Sequence, residues 1–199
     1  MALAAIGFRV HSGWAAAVVV GEAGETPAVL DRRRIELADP KIPGSKQPYH
    51  AAESLPLKQA AALIERCQKS TWSLARRGVE EIGRAFQPIG CGVLHAAGRP
   101  LPELAAILAS HALIHTAEGE FFRRAIGQAC QERRLAVRAV KEKELLEICS
   151  RELGFSTPEL RQRLTDWGRA LGPPWTQDEK YAALAAWLAL TSRRDTANV

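Results

Sequence analysis

Residues 3–21, LAAIGFRVHSGWAAAVVVG, decide the fold. LAAIGFRV (3–10) reads as a first strand. HSG turns it into AAAVVVG (15–21), whose valine run favours a buried strand. Gly21 through Pro27 contains two glycines and supplies another turn, and PAVLDRRRIEL (27–37) alternates weakly enough to be a third strand at a sheet edge. On that strand Arg32, Arg33 and Arg34 reach solvent on alternating faces. The three segments form a meander whose first strand is the most central.

Working outward, DPKIPGSKQPYH (39–50) holds three prolines and a glycine and is a loop. A helix follows from about Ala51 to Phe86, bent near Gly78, with Leu57, Ala61, Ile64, Gln68, Trp72, Ala75 and Val79 on its packed side. Pro88 ends it, and IGCGVLHAAG (89–98) is a short buried strand. Pro100 and Pro102 open a helix, LPELAAILASHALIH, with Pro102 in its first turn. A second helical run starts at Thr116; no capping box forms there, so one helix or two stays open. LAVRAV (135–140) is a fifth strand. Helices then cover 141–153, 157–171 and 177–190, with Thr157-Pro158-Glu159 starting the second and Gly172-Pro173-Pro174 breaking the chain before the third. Strands followed by interleaved helices imply a mixed sheet covered on both faces. The chain reads as one domain over 1–192 with a disordered tail over 193–199, and no internal repeat divides it.

Composition narrows the classes. At 199 residues, 47% hydrophobic and 25% charged, the chain is neither collagen-like nor disordered. A net charge of +5 permits an anionic partner without implying one. Cys67, Cys91, Cys130 and Cys149 lie far apart with no CxxC pair, as expected of buried thiols in a reducing compartment. The apolar N-terminus has no basic segment before it and is interrupted by Arg9, His11 and Trp14, unlike a secretory leader. The final apolar stretch, YAALAAWLAL, is too short to span a bilayer. A soluble cytoplasmic protein without a membrane partner is the expectation.

Three local patterns carry a resemblance. Ile6-Gly7-Phe8-Arg9 stands in the first strand, Gly13-Trp14-Ala15 opens the second, and Asp178-Glu179-Lys180-Tyr181-Ala182 begins the last helix before alternating Leu and Ala. In this order they resemble the ribonuclease H-like fold, in particular its RuvC-like resolvase branch, whose first strand carries a GIDPG-like segment and whose last helix carries DxxDA. The resemblance spans residues 3 to 190 in element order. It implies a five-stranded mixed α/β sheet with helices on both faces, here with extra C-terminal helices. It also implies metal-dependent cleavage of nucleic acid, with carboxylates from strand one, strand four and the last helix holding divalent cations.

The departures weigh more than the matches. The first acidic place holds Arg9, the second His95, and the last pattern reads Asp178 then Tyr181, so one carboxylate, Asp178, is kept. Glu179 points about 100° around the helix from Asp178 and is no substitute. Arg9 sets a permanent cation where metal would sit. Residues 1 to 21 contain no acid, so a shift of register does not restore the site. Arg9, His95 and Asp178 are therefore read as a vestigial cleft, a paired charge network with Asp178 joined to Arg9 or orienting His95. His11 and Ser12, near the first turn, could join His95, but a Ser-His-Asp assignment needs contact geometry that spacing does not provide.

His111, His115 and Glu118 share one helix face if the helix is continuous, a geometry suited to zinc or another divalent metal, with His95 approaching from a strand end. Histidines at this spacing more often cover a helix flank. No phosphate loop, dinucleotide fingerprint or GxSxG elbow is present. Arg32–Arg34, Lys41, Lys46, Arg76-Arg77 and Arg123-Arg124 offer a phosphate-contacting surface, while the 6% aromatic content argues against a dense stacking platform. The leading reading is a non-catalytic ribonuclease H-like protein, without cofactor, that binds DNA, RNA or a protein of nucleic-acid metabolism. The alternatives are a metal-dependent hydrolase rebuilt around His95, His111, His115 and Glu118, and a homodimeric scaffold.

Overall fold

The structure, a computed structural model, describes residues 3–23, 26–95 and 100–192. Strands β1 (Ala4–His11), β2 (Trp14–Ala23) and β3 (Thr26–Glu36) form the antiparallel meander. Helices α1 (Pro48–Ala52) and α2 (Leu57–Phe86) lead to β4 (Gly90–His95), which pairs parallel with β1. Helices α3 (Leu104–Leu108) and α4 (His111–Glu132) lead to β5 (Ala136–Lys141), parallel to β4. A short 3-10 turn, Glu142–Glu144, then precedes α5 (Leu145–Leu153), α6 (Thr157–Leu171) and α7 (Gln177–Thr191). The sheet order is β3-β2-β1-β4-β5, with β1 at the centre as its apolar run requires. The expected strand residues 96–98 and the expected tail 193–199 lie outside the described residues.

The two sheet faces have separate cores, set by the period of two along each strand. Ala4, Ile6, Phe8, Cys91 and Val93 pack under α2 and α4 with Ile64, Val79, Phe122 and Ile126. Ala5, Val18, Val20 and Leu94 pack under α5–α7 with Leu160, Leu184 and Leu188. Helix α7 lies very close to the sheet because both surfaces are small. A Cβ on Gly7 would stand 1.8 Å from the Ala182 carbonyl oxygen, and one on Gly92 would stand 2.2 Å from that of Ala185. Alanines at 182, 183, 185, 186 and 189 on α7, all buried, complete the fit.

Four local expectations change. The single helix over 51–86 is two, since the chain turns at Glu53–Pro56, and α2 then runs unbroken through Gly78. That glycine serves packing: a Cβ there would meet Ile35 Cγ2 at 2.7 Å. The buried stripe of α2 is Ala60, Ile64, Cys67, Thr71, Ala75, Val79 and Ile82, while Leu57 and Trp72 are exposed. The open question at Thr116 resolves into two helices, with the break earlier, at Ala109–Ser110. On β3, Arg32 is directed to loop carbonyls at residues 171–174, Arg33 to Asp31 and Arg34 to Glu36, so protein groups engage all three guanidiniums.

Candidate functional site

Along β1 the side chains of Ala5, Gly7, Arg9 and His11 share the face toward α7, which is why an arginine near the C-terminal end of β1 meets the start of that helix. The start is fixed by Thr176. Its hydroxyl accepts a hydrogen bond from Asp178 N–H at 3.2 Å, while Glu179 Oε2 accepts from Thr176 N–H at 2.7 Å, a capping box. Glu179 is thereby committed to the cap, and Asp178 is left facing β1.

Arg9 and Asp178 meet directly, Nη1 donating to Oδ1. The rest of the guanidinium takes Glu142 in a bidentate grip, Nε to Oε2 at 3.1 Å and Nη2 to Oε1 at 2.6 Å. His11 Nε2 is 2.7 Å from Asp178 Oδ1, and its ring stacks on Trp14 with centroids 4.4 Å apart. Arg34 lies over the Trp14 ring at 3.9 Å, and Arg9 is 5.5 Å from the Tyr181 ring centroid. Burial opposes ionisation of Asp178, but the hydrogen bonds and charges of His11 and Arg9 outweigh it and hold the carboxyl below its ordinary value. The bond to Glu142 outweighs burial in turn and raises Arg9 further.

Beside this network is a cavity of about 620 Å³ whose wall includes His95, Arg123, Glu142, Lys143, Gln177 and Tyr181. It lies at the C-terminal ends of the parallel strands β1, β4 and β5, the end at which open α/β sheets bind ligands. Of the three residues read as a cleft, Arg9 and Asp178 are in contact. His95 stands on the cavity wall, and by alternation shares the face of Val93 toward α2 and α4. The histidine joined to Asp178 is His11. The sequence reading missed Glu142, which looked like one more charge in a helical run, KEKELLEIC. An acid immediately after a strand parallel to the central one was the available signal.

A second cluster lies on the α2–α4 face. His111 and His115 open α4, which is continuous through Glu118, so the three share one side of it. Their Nε2 atoms are 3.0 Å apart. The third histidine is His50 of α1, with one ligand atom from each of the three within 4.8 Å of the others. Glu118 is buried and holds His50, Oε2 lying 2.9 Å from Nδ1; burial raises the Glu118 carboxyl against the pull of those bonds. Exposed Lys41, Lys46, Arg76 and Arg77 remain at the surface, whereas Arg123 and Arg124 pair with Glu120.

No protein-family model matches this chain, and no curated protein matches it. Solved structures do. The chain is similar to Thermus thermophilus RuvC in complex with Holliday junction substrate at a TM-score of 0.58 and 14% identity, covering 98% of this chain and 97% of that one. It is similar to the Thermus thermophilus RuvC structure at a TM-score of 0.57 and 14% identity, covering 98% of both chains. Together with the sheet order, this shows a ribonuclease H-like α/β fold. No helix among the described residues is long and apolar enough to cross a membrane.

Proposed function

We propose that this chain binds nucleic acid through a ribonuclease H-like cleft that does not use the carboxylate-held metal of its fold relatives. The observation carrying this reading is the Arg9 guanidinium, in hydrogen bonds to both Asp178 and Glu142. Hard divalent cations need several free oxygen ligands. Here the nearest carboxylates are engaged by a cation that does not deprotonate, so the residues present do not fit such a metal. Binding is supported by the whole-chain likeness to a protein solved with Holliday junction substrate. It is also supported by Arg123, Lys143 and His95 on the cavity wall, side chains suited to phosphate.

Fluorescence anisotropy with four-way junction, duplex and single-stranded DNA and with RNA tests this. Binding at low salt that weakens as salt rises, with no strand cleavage in magnesium or manganese, is expected. Absence of binding to all of them, or magnesium-dependent cleavage that Asp178→Asn abolishes, overturns the reading.

A further inference from the structure

The histidine cluster is not accounted for by the cleft. Arg123, which reaches the cleft cavity, follows His111 by roughly 18 Å along α4 at about 1.5 Å per residue. His111 and His115 are one helical turn apart, with Nε2 atoms 3.0 Å from each other. The His50 ring from α1 stands edge-on to both, with centroids 5.7 Å from His111 and 4.8 Å from His115. Three imidazoles thus converge although a single N–H···N bond between His111 and His115 is all that two neutral rings can share there. The spread of their ligand atoms, within 4.8 Å, is wider than the roughly 3.4 Å that zinc–nitrogen bonds of about 2.0–2.1 Å impose in a tetrahedron. For a metal to bind, side-chain rotations of the exposed His111 and His115 must close that difference.

We infer that His50, His111 and His115 form a zinc site whose fourth position opens to solvent. An independent observation at the same place is Glu118. Its Oε2 lies 2.9 Å from His50 Nδ1; as an ionised carboxylate it only accepts there, which places the proton on Nδ1 and leaves the Nε2 lone pair for the metal. A carboxylate joined to the far nitrogen is the usual companion of a metal-bound histidine. Glu118 is only 2% exposed, and its Oε1 has no hydrogen-bond partner among the described residues. Such a buried acid is costly unless a cation is near. It also answers an electrostatic difficulty: the positive end of the α4 dipole disfavours a dication, and the first turn of α4 has no acid of its own.

Imidazole nitrogens select zinc, copper or nickel over magnesium, and a three-histidine set with an exposed side leaves room for water on the metal. His111 and His115 are both exposed, so that water faces solvent. The ion would clip α1, and with it the loop before α2, to the start of α4.

The test is isothermal titration of untagged, chelator-treated full-length protein with zinc chloride, alongside cobalt(II) absorption as a readout of tetrahedral geometry. One equivalent per chain is expected, with a rise in melting temperature. His111→Ala and His115→Ala are expected to weaken binding at least a hundredfold, and Glu118→Gln about 10–100-fold through the orientation of His50. Circular dichroism confirms that each variant is folded; should His50→Ala unfold, the two exposed histidines decide. Failure of zinc to bind at 100-fold excess, or binding undiminished in folded His111→Ala and His115→Ala, overturns the inference. Nucleic-acid binding is measured separately in metal-free protein, so failure at one site is distinguishable from failure at the other.

Discussion

Arg9 on the central strand and Asp178 on the last helix, far apart in sequence, share a hydrogen bond that ties α7 to the sheet at the mouth of the cleft. Because Arg9 also holds Glu142, its removal leaves both carboxylates without their shared guanidinium. Arg9→Met is therefore expected to cost about 1–3 kcal/mol, less than a fully buried pair because the side chain keeps 19% of its exposure. Urea unfolding of Arg9→Met, Asp178→Asn and the double variant measures it. An additive double variant would show that the pair is uncoupled.

The same contact sets an acid limit. A carboxyl held low in the folded state contributes stability that is present above the unfolded value and lost as pH falls through the folded one. The stability difference between the parent protein and Asp178→Asn is expected to shrink as pH falls below about pH 4. Chemical unfolding at stepped pH reads it, and a difference that stays constant down to pH 2 contradicts the assignment.

The close approach of α7 is open to a single methyl. Gly7→Ala places a carbon against the Ala182 carbonyl, which is backbone and cannot rotate away. A loss of about 3 kcal/mol or more is expected, at the upper end of overpacking effects. Gly127→Ala, where a Cβ meets nothing within 4 Å, is the paired control and should be neutral or slightly stabilising.

Thr176→Ala removes the hydroxyl that caps α7, at an expected cost of about 1 kcal/mol. The cap also sets where Asp178 begins, so the variant should weaken the Arg9–Asp178 coupling in the same unfolding experiments. Thr176→Ser should restore both.

Cys67, Cys91, Cys130 and Cys149 are all free and buried. Burial pushes the Cys149 thiol up to about 12, and the bond to Cys91 together with burial pushes Cys130 up as well. Thiol-reactive dye at pH 8 should label none of the four within minutes in native protein and all four in denaturant. Rapid labelling of the native chain would place a thiol at the surface.

The fold was legible because its central elements carry strong local signals: the valine run of β2, the three prolines and the glycine of residues 39–50, and the alanine–leucine pattern of α7. What escaped depended on tertiary contact. Trp72 fits a helical stripe as well as Ala75 does, and only the position of α4 decides which faces inward. The candidate cleft was half visible, since Arg9 and Asp178 stand where a family pattern puts acids. Glu142 was passed over because it shares its run with Glu144 and Glu147; only its place directly after β5 sets it apart. His50 was hidden for a similar reason: it lies in a proline-rich stretch about sixty residues before its partners, joined to them only by the packing of α1 on α4.

Arg32 was expected to point to water from an edge strand, yet its guanidinium gathers the carbonyls of Leu171, Gly172, Pro173 and Pro174. Those residues form the approach to Thr176 and so to Asp178. The outermost strand therefore acts as a mooring for the turn that aims the last helix. A disturbance at the rim of the sheet, in a residue that touches nothing in the cleft, would be transmitted into it by the backbone alone.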